Sequence, residues 1–173
     1  MSLVRFVLVL AAAALAASPA AATGFQYGAA PDPDVQPIEP ATWYPSDAKS
    51  TTQPLGLFTQ SVAYYGPVRG AALPLVVISH GTGGSAADHY DTALALAEAG
   101  FVVVALNHTG DYYKDRADSF TRRNFANRVR QVSRVIDFML KDWDGRPSQS
   151  GRDRHFRPFS RRRNCANHHR RYA

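Results

Sequence analysis

Several features that mark other protein classes are missing from this sequence of 173 residues. It has one cysteine, Cys165, so no intramolecular disulfide can form and an apolar core must stabilise the fold alone. No dinucleotide-binding G-x-G-x-x-G is present, because Gly81, Gly83 and Gly84 have a different spacing. No internal repeat occurs. What remains is a chain of the size of a single domain.

The N-terminus has the pattern of a secretory signal peptide. Arg5 is followed by an apolar run, Phe6 to Ala17, and then by small residues that end at Ala20-Ala21-Ala22. The run is shorter than the about 20 residues that a membrane-spanning helix needs. We therefore expect residues 1–22 to be cleaved, leaving a secreted or periplasmic product without a membrane span. An uncleaved membrane anchor is the alternative.

The net charge of +6 comes from the C-terminal tail alone. Residues 1–145 carry 11 Lys and Arg against 13 Asp and Glu, whereas residues 146–173 carry 9 Arg against one acid. Such a tail could bind nucleic acid or an anionic membrane surface, but export argues against nucleic acid. Cys165, His168 and His169 do not supply the three or four held ligands of a zinc site, so no metal is assigned. We expect residues 148–173 to form a disordered tail without function.

Residues 23–147 form the predicted domain. Its N-terminal part shows only weak secondary-structure patterns. Thr23 to Pro40 is rich in proline, glycine and alanine, and we expect an extended arm there. A short strand is predicted at Ala41 to Tyr44 and ends at Pro45. A polar connection from Ser46 to Gln53 then leads to a weaker strand around Leu57 to Tyr65.

The pattern after Leu73 predicts a βαβ unit. The apolar run Leu75 to Ile78 suits a strand buried on both faces, as in a parallel sheet covered by helices. Ser85 or Asp88 is expected to cap a helix that ends at Gly100, and a second buried strand follows at Phe101 to Leu106. The predicted fold class is therefore α/β.

The clearest helix is predicted at Asn127 to Trp143. Its apolar residues recur at helical spacing and should pack on the sheet: Val129, Val132, Val135, Ile136, Met139, Leu140 and Trp143. The opposite side is expected to carry charged residues: Arg128, Arg130, Arg134, Asp137 and Lys141. Asp144-Gly145 and Pro147 end the pattern.

The glycine-rich segment after the first buried strand is the candidate for chemistry. In His80-Gly81-Thr82-Gly83-Gly84, glycines allow a sharp turn that exposes backbone N–H groups. Such groups stabilise the oxyanion of an acyl-transfer intermediate. An ordinary βα turn, or a phosphate site at a helix N-terminus, is the alternative.

Together, these segments resemble the predicted dienelactone hydrolase group of the α/β-hydrolases, and are similar to platelet-activating-factor acetylhydrolases. The resemblance covers about 100 residues and is carried by Trp43-Tyr44-Pro45, Pro74 to Gly84, Ala99 to Ala105, Asn107 to Asp111 and Arg130 to Leu140. It implies a mostly parallel sheet with flanking helices and a Ser-His-Asp triad that hydrolyses esters without a cofactor. It also implies that the Thr82 amide is one half of the oxyanion hole, in a turn shaped by His80, Gly81, Gly83 and Gly84. The implied substrate is a small-molecule or lipid ester.

The nucleophile that the resemblance implies does not occur in the sequence. A G-x-S-x-G elbow should follow the helix that ends near Trp143, but Ser148, Ser150 and Ser160 lack the flanking glycines. His80 and His108 precede that place, whereas the triad order of this fold is Ser, then Asp or Glu, then His. We therefore assign no catalytic serine, acid or histidine, and expect the chain to be an incomplete, inactive α/β-hydrolase.

A shifted reading frame accounts for the unusual tail. One permitted set of codons for Gly151 to Asn164, read one base further on, encodes A-A-I-G-I-F-G-H-S-A-G-G-A, which is an apolar strand followed by an elbow. Out-of-frame reading of GC-rich codons also yields many arginines. We therefore hypothesise that a frameshift truncated an esterase near Ser150. The alternative function is a non-catalytic exported α/β binding domain with a cleft near Tyr90, Tyr112 and Tyr113. The competing interpretation of these tyrosines, which we favour, is half-buried packing.

Overall fold

The computed structural model describes residues 22–55, 58–143 and 145. Almost all of the predicted signal peptide, and the whole basic tail, lie outside them. The described residues form a six-stranded sheet and two helices: β1 (Ala22–Tyr27), β2 (Pro40–Ser46), β3 (Thr51–Leu55), β4 (Phe58–Tyr64), β5 (Leu75–Ser79), α1 (Tyr90–Glu98), β6 (Val102–Leu106) and α2 (Arg122–Lys141). Neither of these two helices is long and apolar enough to cross a membrane.

The sheet has the strand order β3-β4-β1-β2-β6-β5. β5 pairs with β6 in parallel, with Leu75 opposite Val102 and Ser79 opposite Leu106. β4 and β1 are also parallel, whereas the other three neighbouring pairs are antiparallel. This part of the sheet is therefore mixed, where the resemblance implied a mostly parallel one.

The core is divided between the two faces of the sheet. Trp43 and Val103 belong to a buried cluster with Ala93 and Ala97 of α1. Their neighbours in the chain, Tyr44 and Val104, belong to a second cluster with Val135 and Met139 of α2. Because successive side chains of a strand point to opposite faces, β2 and β6 contribute to both clusters. The helices thus cover opposite faces, and the predicted α/β class is confirmed.

The predicted βαβ unit is present as β5, α1 and β6. Gly100 follows α1 with a φ of +99°, as expected for a glycine after a helix end. The predicted cap was wrong, because His89 is the N-cap residue and makes no side-chain capping bond. Ser85 instead donates a hydrogen bond from Oγ to Oδ1 of Asp88 at 2.6 Å, so both polar side chains are used within the preceding loop.

The N-terminal region contains more strand than the sequence predicted. β1 lies in the expected arm and β3 begins in the expected polar connection, while β4 confirms the weaker candidate. The strand predicted at 41–44 is present but continues through Pro45 to Ser46, near a strand end where the missing N–H is tolerated. β1 forms because it pairs along its whole length with β2, and Phe25 lies opposite Trp43.

Helix α2 begins earlier and is rotated relative to the prediction. Thr121 is its N-cap, and its Oγ1 accepts a hydrogen bond from the Asn124 amide at 3.1 Å. Val135 and Met139 are buried as expected, but Val129 and Leu140 are 70% and 71% exposed. The buried face instead includes the polar side chains of Asn124 and Gln131, and Arg128 lies beside them rather than on the solvent side.

Strand β5 lies at the edge of the sheet. Its residues Leu75 to Ile78 are half-buried and Ser79 is exposed, so the expectation of a strand buried on both faces was wrong. The reason is that β6 is its one strand neighbour among the described residues. An open groove of about 410 Å³ runs between this edge and α2 and is lined by Ser79, Phe125, Arg128, Val129, Val132 and Ser133.

Candidate active site

The glycine-rich turn follows directly after β5, at the carboxyl end of the parallel pair. His80 is buried, whereas Gly81 and Thr82 are exposed at the surface. Two amides of the turn are used internally: that of Gly83 donates to Oδ1 of Asp111 at 3.2 Å, and that of Gly84 donates to the Gly81 carbonyl at 3.1 Å. No hydrogen bond within the described residues engages the amides of Gly81 and Thr82. The role of the Thr82 amide as an oxyanion donor stays a prediction.

His80 is held in one orientation by two backbone groups. Its Nδ1 lies 2.6 Å from the Gly81 carbonyl oxygen, and its Nε2 accepts the His108 amide at 3.1 Å. Because a carbonyl cannot donate, we assign the ring proton to Nδ1. Burial lowers the pKa of His80, and the nearby Arg128 lowers it further. The neutral ring therefore contacts the turn through the Gly81 carbonyl, and its role in shaping an oxyanion turn stays a prediction.

His108 lies at the centre of a second hydrogen-bond chain. Gln131 donates from Nε2 to the Thr109 carbonyl at 3.2 Å, so its Oε1 faces His108 Nδ1 at 2.8 Å. Nδ1 therefore carries the ring proton, and Nε2 accepts the hydroxyl of Ser79 at 2.8 Å. His108 is fully buried, and burial lowers its pKa to about 4. The imidazole is thus neutral near pH 7.

Asp111 and Arg128 connect the turn to α2. Asp111 is fully buried and accepts hydrogen bonds from Arg128 Nη1 at 2.7 Å, Asn124 Nδ2 at 2.7 Å and Ser119 Oγ at 2.6 Å. Burial alone would raise the pKa of Asp111, but these hydrogen bonds outweigh it and lower the pKa to about 2. The carboxylate therefore remains ionised.

Arg128 reaches from this carboxylate to the turn itself. It donates from Nη2 to the His80 carbonyl oxygen and to Ser79 Oγ, the latter at 3.2 Å. Together with the Asp111 bond to Gly83, it holds both ends of the turn. Sequence reasoning placed Arg128 on the solvent side and assigned Asp111 no role in the site. A signal was present, since Asn124, Arg128 and Gln131 are spaced by four and three residues and form one polar face of the helix.

A cavity of about 190 Å³ lies beside the turn, on the α1 face of the sheet. Gly83 and Gly84 form part of its wall, and most of the rest is apolar. Of the three tyrosines predicted near a cleft, Tyr113 lines this cavity. Tyr90 instead stacks on Phe58 with ring centroids 4.5 Å apart, and Tyr112 packs edge-on against Tyr113 at 5.7 Å.

No residue cluster of the kind that binds metal occurs in the described part of the chain, where no three His, Cys, Asp or Glu side chains converge. The Cys165, His168 and His169 group lies outside that part, as do Ser148, Ser150 and Ser160. The described site therefore consists of a backbone turn and its polar supports.

Comparison with known proteins identifies the fold. No protein-family model matches the chain, and neither does any curated protein. A solved structure, a ferulic acid esterase from Streptomyces cinnamoneus, matches with a TM-score of 0.52 and 20% identity over 72% of this chain and 48% of that one. The chain has part of an α/β-hydrolase-type fold. It spans about half the length of this esterase, and at such low identity the likeness establishes the fold alone.

Proposed function

We propose that this chain is the N-terminal part of a secreted carboxylic ester hydrolase of the dienelactone hydrolase type, which uses a serine nucleophile. The observation that supports this most is the turn after β5, where the amides of Gly81 and Thr82 have no hydrogen-bond acceptor among the described residues. In this fold, an amide at that place stabilises the oxyanion of a tetrahedral intermediate. The esterase with a similar fold is consistent with the same chemistry.

In the proposed reaction, a serine oxygen attacks the ester carbonyl and a histidine takes the serine proton. Negative charge develops on the carbonyl oxygen, and the Thr82 amide donates to it. The amide of the residue after the nucleophile supplies the second hydrogen bond. The histidine then protonates the leaving alcohol, and water hydrolyses the acyl-enzyme by the same steps. Asp111 and Arg128 act as positioning residues, because they fix the turn without reaching the substrate.

We further propose that the sequence as given lacks its triad because of a frameshift near Ser150, and that it is inactive for this reason. The substrate of the complete enzyme is a small-molecule or lipid ester, and no cofactor is required. The test is to read the nucleotides across codons 145–170. Codons that give no G-x-S-x-G in either shifted frame would contradict the frameshift.

The enzyme itself is tested with the frame-corrected protein. We expect it to hydrolyse p-nitrophenyl esters and to lose this activity when the elbow serine is replaced by alanine, whereas the chain as given should show no turnover. Thr82→Pro removes the amide hydrogen and should lower kcat by about 10²- to 10³-fold, the usual loss for one oxyanion donor. Thr82→Ala keeps the amide and serves as the matched control. Equal loss in both variants would show that the amide is not the reason.

The second candidate is a non-catalytic exported binding domain. The cavity beside Gly83 and Gly84, with Tyr113 in its wall, favours it, because such a cavity can bind a ligand without a nucleophile. The frame-corrected sequence separates the two candidates: an elbow followed by Asp and His supports the enzyme, and their absence supports the binding domain.

A further inference from the structure

We propose that the cavity beside the glycine-rich turn binds a neutral ligand through a single aromatic ring. The cavity lies on the α1 face of the sheet and shares Gly83 and Gly84 with the turn. That this ligand is the substrate of an esterase rests on the proposed function. That the cavity binds the ligand depends only on the cavity.

The size of the cavity fits one ring with a short substituent. Its volume is about 190 Å³, and an engineered apolar cavity of about 150 Å³ in another protein is large enough to bind benzene. A fused-ring lipid or a long acyl chain needs more room than this. The volume therefore fits a benzene ring that carries a small group.

Aromatic side chains form part of the wall. Phe25 packs edge-on against Tyr27 and Trp43, with ring centroids 5.0 Å and 4.9 Å away. Phe25 and Trp43 are only 0% and 1% exposed. A planar ligand ring would therefore mainly meet the partly exposed rings of Tyr27, Phe58 and Tyr113, in the edge-to-face and offset geometries that aromatic pairs prefer and that a saturated ring cannot adopt. Each such contact changes affinity by about 2- to 13-fold. Five aromatic residues line the cavity: Phe25, Tyr27, Trp43, Phe58 and Tyr113.

The mouth of the cavity favours a neutral ligand. Tyr113 is 50% exposed, and Asp88 is also exposed, so these two lining residues lie at the open side. Lys114 Nζ lies over the ring of Tyr113, 5.2 Å from its centroid, and Lys114 does not line the cavity. The Asp88 carboxylate opposes an anion at the mouth, so an aromatic ester should bind better than the free aromatic acid.

The experiment measures binding to the full chain, at a low protein concentration, by saturation-transfer NMR and titration calorimetry. Methyl benzoate is the probe, and methyl cyclohexanecarboxylate and benzoate are its comparators. We expect methyl benzoate to bind at least about 5-fold more tightly than either comparator, within the range that one or two aromatic contacts provide. None of the three ligands needs to react, so the result does not depend on a nucleophile.

Two substitutions of equal size locate the site. Ala87 lines the cavity and is half-buried, so Ala87→Leu should fill part of the space and weaken methyl benzoate binding at least about 10-fold. Ala126→Leu, on the exposed side of α2, should leave binding unchanged. Tyr113→Ala changes only the half-exposed mouth, and it should weaken binding even if Ala87→Leu fails to fold. Far-UV circular dichroism confirms that each variant is folded.

The outcomes separate this inference from the esterase proposal. Equal affinity for the aromatic and saturated esters would overturn the aromatic assignment, and unchanged binding in both cavity variants would show that the ligand binds elsewhere. No binding up to the solubility limit would show that the cavity is only a packing defect. Each of these results would leave the hydrolysis test on the frame-corrected enzyme unaffected. Conversely, binding of methyl benzoate by the full chain, together with no ester hydrolysis by the frame-corrected enzyme, would support the ring site and contradict the esterase.

Discussion

Acid should destabilise this protein through His108. Burial lowers the pKa of this side chain from 6.5 to about 4, a difference of about 2.5 units. One unit corresponds to about 1.4 kcal/mol, so the folded state loses about 3 kcal/mol relative to the unfolded state across this range. The side chain is fully buried, so solvent screening does not reduce this figure greatly.

The direction follows from which state binds the proton. Above pH 6.5 the imidazole is neutral in both states, and its contribution is fully present. As the pH falls toward about 4, the unfolded chain takes up a proton that the folded chain excludes, so stability is lost. The pKa of His80 is lowered in the same direction, which adds to the loss. The Asp111 carboxylate affects stability at lower pH, because its pKa is lowered from 3.8 to about 2 and its contribution changes between these two pH values.

The measurement is urea unfolding, followed by far-UV circular dichroism, of the wild type and His108→Gln at about pH 7.5 and about pH 4.5. Glutamine keeps an acceptor for Ser79 but does not titrate. We expect the wild type to lose about 2 to 3 kcal/mol more than the variant between the two pH values. Equal losses in the two proteins would refute the reasoning, because any remaining pH dependence would then come from other groups.

Two further predictions concern α2. Arg128→Met removes the cation beside the buried Asp111 and should lower the free energy of unfolding by about 3 to 5 kcal/mol in the same urea assay. Arg122→Met, at an exposed position, is the control and should change the free energy of unfolding by less than about 0.5 kcal/mol. Strand β5 has one strand neighbour among the described residues, and Phe125 and Val129 beside it are each 70% exposed, so we expect the protein to self-associate as its concentration rises. Phe125→Glu combined with Val129→Glu should reduce this association in sedimentation velocity without loss of helix signal. Unchanged association would show that the copies do not associate through the β5 edge.

The part of the fold that could be predicted from sequence is the part encoded by local signals. β5, α1 and β6 each have a continuous apolar run or a helical period, and Gly100 marks the turn between helix and strand. β1 has no such signal, because Gly24 and Gln26 interrupt its apolar residues. It exists through pairing with β2 and β4, and this pairing depends on residues far away in the chain.

The sequence indicated the backbone turn of the candidate site, but not the side chains of other elements that hold it. The glycines after an apolar strand indicated the turn at residues 80–84. The groups that hold the turn come from other elements: Asp111 lies 28 residues after Gly83, and Arg128 reaches His80 from α2. Only the folded sheet brings them together. Arg128 was misassigned because a charged residue on a helix is usually solvated, and its buried partner could not be recognised from spacing.

The two tryptophans of this chain belong to different layers. Trp43 packs in the cluster beneath α1, with its indole N–H donated to Gln60 at 2.8 Å, whereas Trp143 packs near Tyr44 in the cluster beneath α2. Replacing either tryptophan by phenylalanine leaves a single tryptophan, whose fluorescence reports on one side of the sheet. The fluorescence lifetimes of the two single-tryptophan variants, measured during heating, would then show whether both layers unfold at the same temperature or one before the other.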